Sequence, residues 1–158
     1  MDKVVNVSLD EAIHLLQSSN VTDFNLWRFK NLTVKIDLSG KDFSNRDISG
    51  ACLNGALCIG SNFSGSIMSH TNLVQADLTD ADLSRADLSR ALLILAEMSR
   101  CKLVDANLTA TNLMAARLTN ATLSGSRMVG TILIEADLKN TNISMEELSQ
   151  AYTKYAKF

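Results

Sequence analysis

From Ile36 to Ile143 the apolar positions recur every five residues. The series opens with Leu38, Phe43 and Ile48, runs through Leu78, Leu83, Leu88, Leu93, Met98, Leu103 and Leu108, and closes at Ile143; all 22 centres are apolar. Two residues before each centre, from Ala51 to Thr141, the residue is always Ala, Ser, Thr or Cys. Helices repeat near 3.6 residues and strands near 2, so a period of five fits neither as a continuous element. It describes a backbone that turns a corner every five residues. One large and one small inward position per segment predict a narrow column filled by alternating volumes. Ala76 to Arg90 writes the unit three times in its cleanest form, Ala-Asp-Leu with a hydroxyl and a polar residue after it.

The glycines check this register independently. All seven (Gly40, Gly50, Gly55, Gly60, Gly65, Gly125 and Gly130) stand two residues after a centre, where a corner requires a positive φ. Asn45, Asn120 and Asn140 hold the same place, and Asn tolerates that region best among the other residues. Arg85, Arg90, Leu95 and Arg100 occupy it mid-chain, which predicts a different turn type there.

The flanks follow other rules. Val7 to Gln17 reads as a helix, with Ser8 and Glu11 as a capping box and Leu9, Ala12, Ile13 and Leu16 on one face. Phe24 to Phe29 holds the only Trp and two of five Phe. Such a concentration predicts a plug over the end of the repeat array, since terminal repeats need covering. Ser144 and Glu147 form a second capping box, with Ile143 and Leu148 spaced as a hydrophobic staple. Leu148, Ala151, Tyr152 and Tyr155 then fit one apolar helical face, and Lys154 and Lys157 suit its C-terminal dipole. The expected organisation is an N-terminal helix and aromatic cap over 1–35, a repeat array over 36–143 and a capping helix over 144–158. The expected end caps are Phe24, Trp27 and Phe29 on one side and Leu148, Tyr152 and Tyr155 on the other.

Composition narrows the function classes. With 158 residues, 46% apolar and a net charge of −2, the chain makes one folded domain and lacks the basic surplus of a nucleic-acid binder. No run of about 18 apolar residues predicts a membrane span, and Met1 to Asn20 does not read as a signal peptide. Cys52, Cys58 and Cys101 are odd in number without CxxC spacing, which predicts reduced thiols and a cytoplasmic setting. His14 and His70 stand apart from any metal-spaced cluster. No nucleophile elbow, P-loop or dinucleotide fingerprint occurs, and aspartates five apart fall on different faces. Neither an enzyme, a cofactor nor a small-molecule substrate is expected.

The Ala-Asp-Leu-Ser-Arg units and their neighbours resemble the pentapeptide repeat proteins, with pattern A(D/N)LxX, across 36–143. The Phe24-to-Arg28 segment also looks like the leader of many cyanobacterial members. The resemblance implies an all-β right-handed quadrilateral β-helix with four pentapeptides per coil. Short α-helices at both ends complete the expected fold. Twenty-two repeats then make about five and a half coils and a rod about 26 Å long. The best-known family activity is DNA mimicry toward a type II topoisomerase. It calls for a strongly negative surface, whereas eleven acids here face nine bases between Ile36 and Met145. Members that carry projecting loops break the repeat to make them, and this repeat has no break.

In that geometry residues 20 apart stack. Around Leu53, Leu73, Leu93, Leu113 and Leu133, one face collects Val74, Leu92, Ile94, Leu95, Met114, Ile132 and Ile134, whereas the other faces carry mostly Ser, Thr, Asn, Asp and Arg. A contiguous apolar patch marks an interface. Two occupants compete for it: a protein partner or second copy, and the chain's own N-terminal segment folded back.

Overall fold

The computed structural model describes residues 8–158; the expected helix start at Val7 lies outside them. From Ile36 the backbone turns a corner every five residues, and up to Asp137 the residue before each centre, Thr122 and Arg127 apart, bridges in parallel to the one 20 further on, as in Asp77↔Glu97 and Leu92↔Asn112. Each coil thus holds four five-residue segments. The centres Leu78, Leu83, Leu88, Leu93, Leu103 and Leu108 are fully buried, as are Ala81, Ala86 and Ala91 beside them. Phe43 and Phe63 stack one coil apart, with ring centroids 5.2 Å apart.

Every part of the repeat has a physical task. The acid or amide before the centre accepts the backbone N–H two residues later: Asp82 Oδ1 from Ser84 at 3.0 Å, Asp87 Oδ1 from Ser89 at 3.0 Å, Asn62 Oδ1 from Ser64 at 3.0 Å. Where Ala gives way to a hydroxyl, the oxygen is matched by a carbonyl, usually 23 residues back, with Ser126 the exception. Thr111 donates to Leu88 O at 2.7 Å and Ser61 to Leu38 O at 2.7 Å, so burying them leaves no orphan.

The corners correct one expectation. Arg85, Arg90, Leu95 and Arg100 all sit at φ 59°, in the same left-handed region as Gly60 at 63°, so the turn does not change mid-chain. The cause is the ladder between coils: each corner N–H donates to the next coil, Arg85 to Val104 O at 2.8 Å and Leu95 to Met114 O at 3.0 Å. That ladder holds the conformation against a cost of roughly 1–2 kcal/mol per non-glycine residue.

At the N-terminal end, α1 (Leu9–Gln17) carries the expected capping box and buries Ala12, Ile13 and Leu16. The aromatic segment is itself a helix, α2 (Val21–Lys30), capped by Asn20. Phe24 and Trp27 are buried under it, 6.2 Å apart. Phe29 is 75% exposed and not part of the cap. Helical spacing explains this: the face of Phe24 continues at i+3 and i+4, which are Trp27 and Arg28. The buried Arg28 guanidinium instead donates to the carbonyls of Asn31, Leu32, Val34 and Asn54. Asn25 closes the edge of the first coil, donating to Gly50 O at 2.9 Å and accepting from Cys52 N at 2.8 Å.

The C-terminal end departs further from expectation. Helix α3 spans only Met145–Leu148, with the expected Ser144/Glu147 capping box. The chain then returns to the coil: Tyr152 bridges Ile132 and Lys157 bridges Asp137. Tyr152 and Tyr155 are 63% and 70% exposed and do not form a cap; of the three expected there, only Leu148 is buried. Ala151 and Ala156 supply the small inward residues, and pairing with the open edge of the previous coil satisfies more backbone groups than a solvated helix could. No helix among the described residues is long and apolar enough to cross a membrane.

Candidate apolar interaction face

The apolar side is built by the bridge series Cys52, Asn72, Leu92, Asn112, Ile132 and Tyr152, each paired with the next. Val74, Ile94, Met114 and Ile134 stand two residues further along each segment, and Leu95 at its corner. The structure therefore brings all seven predicted residues onto one side over four successive coils. Leu95 is 53% exposed, Leu92 40% and Met114 37%; Val74, Ile94, Ile132 and Ile134 are half-buried between neighbouring coils.

Two positions on this face lack the acceptor that stands before most centres. Asn72 and Asn112 still accept the N–H of Val74 and Met114, both at 3.1 Å. Leu92 and Ile132 have no oxygen to offer, so Ile94 and Ile134 lose that hydrogen bond, worth about 1 kcal/mol. Leu57 and Ile67 make the same sacrifice elsewhere, as do Lys102, Arg117, Thr122 and Arg127, but Leu57 and Ile67 each lie between two stacked Asp residues and the other four are polar.

The described part of the N-terminal segment does not lie over this face. Helices α1 and α2 pack against the end of the rod, and their reach toward the face stops at Cys52 and Asn54. Sequence reasoning missed Tyr152, which the returning chain stacks on Ile132, and Tyr155 at the adjacent corner above Glu135. The signal was present: Tyr152 follows Ile132 by 20 residues, and Ala151 and Ala156 keep the small-residue register. Beside Tyr155, a surface hollow of about 460 Å³ is lined by Ala115, Arg117, Glu135, Asp137 and Lys157.

Three acids elsewhere on the rod are paired with a cation in the next coil. Arg100 pairs with Asp80 through two contacts of 2.7 Å, Lys102 with Asp82 at 3.6 Å and Arg117 with Glu97 at 3.4 Å, each cation one coil beyond its acid. The Arg100 hydrogen bonds hold the Asp80 carboxyl below its ordinary value. Burial pushes the Cys58 and Cys101 thiols up to about 12, which keeps them protonated and unreactive. Among the described residues no group of three or more His, Cys, Asp or Glu could hold a metal ion.

The profile of the family described as pentapeptide repeats matches residues 42–80, 56–93, 71–109 and 111–144, in eight copies. The chain belongs to the pentapeptide repeat family. Its fold is the family's right-handed β-helix. A pentapeptide repeat protein from the Arabidopsis thaliana thylakoid lumen is 31% identical over 75% of this chain and 76% of its own, with a TM-score of 0.51. QnrB1, a plasmid-mediated fluoroquinolone resistance protein, is 21% identical over 77% of this chain and 79% of its own, with a TM-score of 0.52, and shares the fold. The pentapeptide repeat protein Rfr23 of the cyanobacterium Cyanothece 51142 is 24% identical over 84% and 92%, with a TM-score of 0.41. No curated protein matches the chain.

Proposed function

We propose that this pentapeptide repeat protein is a non-catalytic interaction module, a rigid four-sided rod that presents its apolar face to a protein, a second copy of the chain included. The observation that carries this reading is the pair Leu92 and Ile132. There the repeat forgoes a stabilising acceptor and displays an apolar side chain, beside exposed Leu95 and Met114. Local rules are broken where function requires it. We take the compartment to be the cytoplasm, on the odd number of cysteines.

The test substitutes Ile94→Lys together with Ile134→Lys. Both side chains point outward, so β-rich circular dichroism is retained, while proteins captured by the wild type from extracts of the source cell are lost. A variant that unfolds would make these residues part of the core and remove the reading.

The other family activity, DNA mimicry toward a type II topoisomerase, finds less support. A mimic needs an unbroken negative surface, and here Arg100, Lys102 and Arg117 interleave with the acids they pair with. A supercoiling assay with micromolar protein is expected to give neither inhibition nor drug protection; either effect would favour the mimic.

A further inference from the structure

We propose that the occupant of the apolar face is a second copy of this chain, turned end for end about a two-fold axis that runs along the backbone direction of the Asn112–Met114 segment. The inference rests on reading this face as an interface. What it adds is the partner and the geometry.

The observation is the order of side chains up the face. Coil by coil it reads Asn72 and Val74, Leu92 and Ile94, Asn112 and Met114, Ile132 and Ile134, Tyr152 and Lys154. Two two-fold arrangements of copies packed face to face keep the segments of both rods aligned and in register about the middle of the face. With the axis along the rod, each segment meets its own copy reversed, which sets Asn72 on Val74 and Asn112 on Met114. Those contacts bury amides against apolar groups. With the axis along the segment direction at the Asn112 level, Leu92 meets Ile132 and Ile94 meets Ile134. Asn112 then meets Asn112, and Met114 meets Met114. Within the segments every aliphatic group finds an aliphatic one, while Leu95 at the corner falls opposite Glu135; the central amides find each other, each still holding its own Met114 N–H. Asn72 falls opposite the phenol of Tyr152. Val74 falls on the stem of Lys154, whose ammonium lies 5.0 Å from the centroid of the Tyr155 ring. The end-for-end arrangement is the one that leaves no amide on an apolar group.

The face also sets the strength. Five segments about 4.8 Å apart, each showing about 10 Å of outward surface, give a flat footprint of only a few hundred Å² per copy. A standard interface takes about 800 Å² per partner. The pairing is therefore reversible and appears only at high protein concentration.

Cysteine cross-linking tests the geometry. The background is Cys52→Ser, because Cys58 and Cys101 are buried. Under mild oxidation with diamide at near-millimolar protein, Asn112→Cys forms a disulfide-linked dimer by itself, as does Met114→Cys. Having both variants covers any loss of the Asn112 hydrogen bond. Leu92→Cys and Ile132→Cys link when mixed, at least about tenfold faster than either alone, because only the mixed pair is brought face to face. Self-linking of Leu92→Cys at the rate of the mixed pair would overturn the arrangement. So would monomeric mass and slow linking for all four variants. In that last case capture of another protein, abolished by the Ile94→Lys and Ile134→Lys pair, still separates loss of this inference from loss of the interface reading.

Discussion

At the residue scale, two inward side chains per segment decide the fold. The column has no slack, since the backbone ladder of one coil fixes the next and the walls cannot collapse sideways. Leu88→Ala is therefore expected to cost about 2–5 kcal/mol, and Ala86→Leu about 1–3 kcal/mol through overpacking; denaturant midpoints measure both. Equal stability to wild type in both variants would contradict the inward assignment. The outward aspartates of the first coil act through hydrogen bonds. Backbone N–H groups of Ser39 and Ser44 lower the pKa of Asp37 and Asp42, and the Ser49 hydroxyl lowers that of Asp47. A carboxyl with a depressed folded value contributes stability that is present above its unfolded value, near 3.8, and is lost as pH falls through the folded one. Melting temperature should thus be flat above about pH 5 with respect to these groups and fall below about pH 4. Replacing all three with Asn, which accepts the same N–H at Asn62, should flatten that acid limb. An unchanged limb would assign it to other groups.

At the element scale the repeat was legible and its interruption was not. The five-residue period, the small inward residues and the glycine corners all follow from Leu83, Ala81 and Gly60 and their equivalents, because each position has one steric role. Helix α2 and the return of 149–158 to the coil escaped notice, because Trp27 and Tyr152 have no propensity that separates plug from helix or helix from rung. Glu146 is the missed clue. Glu146-Glu147-Leu148-Ser149-Gln150 is a pentapeptide unit in register, with Glu where the small inward residue belongs. A carboxylate cannot enter the column, so the segment coils outward as α3 and two coil bridges, from Thr122 and Arg127, go unmade. Side chains stand in for the missing carbonyls: Asn142 Oδ1 accepts from Leu123 N and Glu147 Oε1 from Gly125 N, both at 2.6 Å. The hydroxyls of Thr122 and Ser126 are left without partners. Glu146→Ala is expected to lay this segment into the coil. Helical chemical shifts at 145–148 would vanish, and amide exchange at Leu123 and Gly125 would slow about tenfold or more. Persistent helical shifts would acquit Glu146.

At the scale of the whole molecule, the rod is a uniform scaffold whose exceptions carry the information. Ala76 to Arg90, its most regular piece, devotes Asp77, Asp82 and Asp87 to structure by capping Thr79, Ser84 and Ser89. The face was legible in the sequence once residues 20 apart were stacked, because Leu92, Ile94, Ile132 and Ile134 set apolar side chains where the other faces carry mostly polar ones. Its continuation through Tyr152 and Tyr155 was not, because it depends on the chain rejoining the coil after α3. The most direct test of the account is solution mass by light scattering over a dilution series, for the wild type and for the Ile94→Lys and Ile134→Lys pair. The wild type is expected to rise from the monomer mass of 17.2 kDa toward twice that value as concentration increases, while the folded variant stays at the monomer mass. Identical mass for both proteins at every concentration would contradict self-association through this face.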